Sequence, residues 1–148
     1  MLTIYSDDYY MKQAILEAEK AAIAGEVPVG AIIVCNNKII SRAHNQTQLL
    51  NDVTAHAEIL AITSATSFLS SKYLTDCTLY VTLEPCCMCA GALFWSQISK
   101  VVYGAGDDER GFMRFGKEML HADTNVQYGI LHEECGAIMK SFFKSLRK

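Results

Sequence analysis

Apolar residues recur along this chain with two different periods, and the switches between them outline its elements. Met11, Ala14, Ile15, Ala18 and Ala22 follow helical spacing, and Gly25 comes next as a stop. Val29 to Cys35 is almost continuously apolar, as in a strand buried on both faces. Asn36 and Asn37 make a turn, and Lys38 to His44 returns as the second strand of a hairpin. Residues from about Ala55 to Thr66 read as helix. Thr78 to Leu83 is rich in strand formers and reads as a central strand. Pro85 suits the first turn of a helix running to about Gln97. Lys100 to Gly104 is a further short strand. Gly104 to Gly116, with four glycines and five charges, reads as a loop near the surface. Val126 to Tyr128 predicts a last short strand. Leu131, Cys135, Ile138, Met139, Phe142 and Leu146 form an apolar stripe on a final helix.

Helices alternating with five strands predict a layered α/β fold with helices on both sheet faces, and the opening hairpin makes the sheet mixed. The 148 residues fit one domain, with no repeat, low-complexity tract or linker composition to divide them. An apolar fraction of 51% and a charged fraction of 20% belong to an ordinary globular chain. No apolar run approaches the roughly 20 residues that span a bilayer. Met1 to Tyr10 carries Asp7 and Asp8 and no basic residue, unlike a signal peptide. A cytoplasmic protein is the expectation, with no membrane partner. The net charge of −3 argues against indiscriminate nucleic-acid binding, but Lys140, Lys144, Arg147 and Lys148 offer a local basic patch.

The six cysteines sharpen this picture. Cys86, Cys87 and Cys89 crowd beside Pro85, where near neighbours are poorly placed to pair with one another. Cys35, Cys77 and Cys135 sit in apolar stretches and read as small core residues. A metal site is therefore expected rather than a disulfide framework. Cys86 and Cys89, three apart, share one helical face, and His56 in Thr54-Ala55-His56-Ala57-Glu58 supplies a third ligand. Three such ligands leave one tetrahedral position open, as in a catalytic zinc. A closed structural site using Cys87 is the alternative, though Cys87 falls off the shared face. Helix N-termini stabilise thiolates. Zinc can lower the pKa of water it holds to about 7. Glu58, two residues from His56, need not ligate and is free to move protons.

His-x-Glu followed by Pro-Cys-x-x-Cys is a known signature of zinc base deaminases. Over nearly its whole length the chain resembles the cytidine/deoxycytidylate deaminase superfamily, and within it the bacterial tRNA-specific adenosine deaminases. The likeness is carried by Glu26-Val27-Pro28-Val29-Gly30-Ala31, Asn45, Thr54 to Ile59, Leu79 to Cys86, Met88 to Ala92 and Phe142 to Arg147. The resemblance implies a three-layer α/β/α cytidine-deaminase-like fold with a five-stranded mixed sheet. It implies a homodimer with a Zn2+ ion on each chain, acting on the wobble adenosine of a tRNA anticodon stem-loop to give inosine. By position, His56, Cys86 and Cys89 would hold the metal and Glu58 would be catalytic. Asn45 would hydrogen-bond the flipped base, and Val27 and Ala57 would line the pocket. Leu83 and Glu84 would shape its rim, and Asp107 would lie near the RNA backbone. Asn45 also reads as a turn residue after the hairpin, and Asp107 as a solvated loop acid. Trp95 is more like the guanine deaminases of the same superfamily, which makes a free base such as guanine the alternative substrate. A silent zinc-binding partner subunit is a third reading, and the presence of Glu58 weighs against it.

Overall fold

The computed structural model describes residues 5–147. Helix α1 (Asp7–Ile23) opens where Ser6 accepts a hydrogen bond from the Tyr9 N–H, with Asp7 and Asp8 at the positive end of the helix. Strands β1 (Gly30–Cys35) and β2 (Lys38–His44) form the hairpin. Asn36 and Asn37 both take positive φ, 52° and 61°, as a two-residue turn between twisted strands requires. Helix α2 (Ala57–Leu69), strand β3 (Cys77–Leu83), helix α3 (Cys87–Ser96) and strand β4 (Lys100–Ala105) follow. Strand β5 (Asn125–Tyr128) and helix α4 (His132–Leu146) complete the described chain.

The sheet runs β2-β1-β3-β4-β5. β1 is antiparallel to both neighbours, while β3, β4 and β5 are mutually parallel. The expected mixed five-stranded sheet is therefore present, with β3 at its centre. Alternation explains the layers. Ala31, Ile33, Leu79, Val81, Val101 and Tyr103 face one core, shared with α2 and α3. Ile32, Val34, Tyr80 and Val102 face the other, where Met11 and Ala14 of α1 and Cys135 of α4 pack. Gly30 sets the approach of α1, because a Cβ there would lie 2.0 Å from the Ala14 carbonyl oxygen and 2.4 Å from the Ala18 nitrogen.

Two expectations needed correction. Pro85 precedes helix α3 rather than entering its first turn: Cys86 is the N-cap with ψ 174°, because that stretch is still extended and bridges to Gly111. The segment 104–116 lies only partly at the surface: Asp108 to Arg110 and Met113 to Phe115 are exposed, but Phe112 is fully buried against Tyr103 in the α2/α3 core and opens a short 3-10 turn. On α4 the expected stripe turns inward, with Cys135 fully buried and Ile138, Met139 and Phe142 half-buried, while Leu146 at the end of the helix stays exposed.

Candidate active site

His56 and Cys86 occupy equivalent places, as the N-caps of α2 and α3. Neither side chain caps its helix. Both turn instead toward Cys89, which is buried in the first turn of α3. His56 Nδ1 lies 3.7 Å from Cys86 Sγ and 3.5 Å from Cys89 Sγ, and the three ligand atoms all fall within 4.8 Å of one another. A tetrahedral ion with ordinary zinc bond lengths asks for N···S separations of about 3.5 Å and S···S of about 3.8 Å. The cluster therefore fits a metal of that size and softness with one position left to another ligand. Among the described residues this is the one group of three or more such side chains that converges. Cys87 is not part of it, and all six cysteines are free thiols.

The electrostatics agree with metal binding. Cys86 is pushed down to about 4, chiefly by the hydrogen bond with Cys89 and then by His56. Cys89 moves the other way, because it shares that hydrogen bond and is buried. One thiolate thus forms readily while the second must be deprotonated by the ion itself. His56 is raised, mainly by its hydrogen bond with Cys86. Burial lifts Glu58 to about 7, with the Cys86 charge adding to the rise. Its carboxyl also meets the Cys89 thiol.

These groups border a cavity of about 840 Å³. Val27, Asn45, Ala57, Leu83, Glu84 and Asp107 all line it, together with His56, Glu58 and Cys86. Asn45 is buried, its Nδ2 donating to the Val27 carbonyl at 3.2 Å and its Oδ1 accepting from the Thr47 N–H at 3.3 Å. It is thus a turn residue and a cavity residue at once. The Glu84 carboxylate accepts the Asp107 and Met113 N–H groups, each at 3.0 Å, and so fastens the loop that forms one wall. Asp107 Oδ1 accepts from the Glu109 and Arg110 N–H groups. Both acids act on backbone, which their side-chain identity alone did not disclose.

Thr47, Arg110 and Gly136, which were not singled out from sequence, also line the cavity, as do Met139 of the apolar stripe and Phe143. The apolar stripe announced α4 but not that Met139 on it, with Gly136, Lys140 and Phe143 beside it, would border the site. Of the basic tail, Lys140 reaches the cavity and Lys144 and Arg147 are exposed, while Lys148 lies outside the described residues. Trp95 is 76% exposed on α3 and does not line the cavity. No helix among the described residues is long and apolar enough to cross a membrane.

The family profile of the MafB19-like deaminases matches residues 5–147. The tRNA-specific adenosine deaminase of Bacillus subtilis is 46% identical over 147 residues, covering 96% of this chain and 91% of that protein. A structure solved in a study of A-to-I editing by tRNA:A34 deaminases at the wobble position superposes with a TM-score of 0.83 at 39% identity. That match covers 88% of this chain and 98% of the other. Guanine deaminase from Bacillus subtilis matches less of the fold, with a TM-score of 0.66 at 38% identity over 69% of this chain and 66% of its own.

Proposed function

The chain belongs to the MafB19-like deaminase family and is a hydrolytic deaminase; from that premise we propose that it converts the wobble adenosine of a tRNA anticodon to inosine, with zinc as its metal. The observation that carries this reading is the triangle of His56, Cys86 and Cys89 with Glu58 buried beside it. When bound, zinc would supply a Lewis acid that makes water a competent nucleophile at neutral pH.

The rest of the chemistry belongs to the chain's own residues. Hydrolysis adds water oxygen at carbon 6 of adenine and releases the exocyclic nitrogen as ammonia. Glu58 takes one proton from the attacking water and passes it to ring nitrogen 1, then takes the second from the new hydroxyl at carbon 6 and delivers it to the departing amine, so that the carbonyl forms as the C–N bond breaks. A carboxyl held near neutrality by burial serves both directions of transfer. Asn45 keeps one Nδ2 proton and one Oδ1 lone pair beyond its two main-chain bonds, and these read the edge of the base. Ala57, the first residue of α2, has a main-chain N–H without an intrahelical acceptor, which we assign to the base as well. Val27 and Leu83 flank the ring. Glu84 and Asp107 fix the loop that presents Arg110, and Arg110 and Lys140 meet phosphates at the mouth.

We read residues 1–148 as one deaminase domain working in the cytoplasm as a homodimer. Met88 and Trp95, exposed and seven apart on α3, supply an apolar face for a second copy. The test is incubation of purified protein with an anticodon stem-loop carrying adenosine at the wobble position, and separately with guanine, adenine and cytosine. Inosine in the RNA is the expected product. Ammonia released only from a free base would move the substrate to that base and leave the chemistry intact.

A further inference from the structure

Glu26 is 2% exposed, sits just past α1, and has no basic partner among the described residues. Its own N–H donates to the Ala21 carbonyl at 2.9 Å, which fixes its place at the end of the helix. Its carboxylate is spent on backbone: Oε1 accepts from the Gln48 N–H at 3.0 Å and Oε2 from the Leu49 N–H at 2.8 Å. Thr47 Oγ1 stands 3.5 Å from Oε1. These two N–H groups open the turn that runs from Thr47 to Asn51. A carboxylate across consecutive N–H groups makes strong, charge-assisted bonds.

The consequence reaches Asn45. Its amide is held from two sides, by the carbonyl of Val27, next to Glu26, and by the N–H of Thr47, next to Gln48. Glu26 ties those two sides together. An amide turned over would present its acceptor where it now presents its donor, and would read a different base edge. We propose that Glu26 is a positioning residue that locks the donor–acceptor sense of Asn45 and, through it, the recognition of the base. This rests on the assignment of Asn45 to the base made above.

The test is a double-mutant cycle on the full-length, metal-loaded protein with Glu26→Gln, Asn45→Ala and the pair, read as kcat/KM on the wobble-adenosine stem-loop. Glu26→Gln keeps the size of the side chain but turns an amide donor against one of the two N–H groups. It should lower kcat/KM on the order of 10-fold, with metal content unchanged. In the Asn45→Ala background the same change should cost less than about 2-fold. Equal losses in both backgrounds would overturn the proposal. Glu26→Asp, one methylene too short to span both N–H groups, should show the same dependence on Asn45 and serves if the Gln variant folds poorly. Amide exchange separates this idea from the choice of substrate. In Glu26→Asp or Glu26→Gln the N–H groups of Thr47, Gln48 and Leu49 should lose protection, and unchanged protection there would refute the clamp even if the stem-loop proves not to be a substrate.

Discussion

Glu58 shows how one side chain can be costly to the fold and central to the site. It is buried within the first turn of α2, where burial, with the Cys86 charge adding to it, raises its carboxyl to about 7. Glu58→Gln keeps the volume and removes the proton carrier. It should leave the metal stoichiometry unchanged and lower kcat by about 10²- to 10⁴-fold, the span ordinary for a lost general base. Metal analysis and steady-state kinetics on the same preparation check both halves. Loss of metal in this variant would mean that Glu58 supports the ligands rather than the proton transfers. The meeting of His56, Cys86 and Cys89, with Glu58 on the same cavity, was legible in the sequence because the proposed chemistry needs those side-chain types at those spacings. Glu26 was not, because Gln48 and Leu49 meet it through N–H groups that almost any residue possesses.

The elements divide along the same line. β1, β2 and β3 announced themselves because both faces or alternate positions are buried, and the periods survive in the sequence. The segment after β4 did not, since Phe112 is a single apolar residue among glycines and charges and has no period of its own. Its burial is settled by distant partners: Tyr103, and the Glu84 carboxylate that fastens the loop on either side. Gly111 lies directly beneath that carboxylate. A Cβ there would stand 2.1 Å from Glu84 Oε2 and 2.5 Å from the Asp107 carbonyl oxygen. Gly111→Ala should therefore displace Glu84 and destabilise the protein by about 1–3 kcal/mol, the usual cost of overpacking. Chemical denaturation measures the loss. An unchanged midpoint would mean that the loop gives way freely and that Glu84 does not hold it.

Burial and exposure across the described residues lead to two more expectations. Trp95 is too large and too exposed to be explained by the core of one copy, and its side chain serves no cavity. Trp95→Glu would place a charge at the centre of the proposed contact between copies. Sedimentation should shift from dimer toward monomer, while a variant sedimenting as the unchanged protein does would put the contact elsewhere. This surface gave no signal of its own in the sequence, because α3 is apolar nearly all round and no period separates its outer face from its core face.

The remaining expectation concerns alkali, and its sign follows from burial. Cys77 and Cys135 are buried thiols, each pushed up to about 12 from the ordinary value near 9, chiefly by desolvation. Tyr103 is likewise raised to about 12, by burial and then by the nearby Glu84 charge. In all three the fold favours the neutral form, so unfolding lets protons leave that the folded chain retains. Their contribution is fully present below pH 9 and is lost as pH rises toward 12. Urea midpoints of the reduced, metal-loaded protein should fall steadily across that window. Cys135→Ala removes one of the titrating groups and should flatten the decline, even though the cavity it leaves lowers stability at every pH. A decline of identical slope in that variant would assign the alkaline loss to other groups.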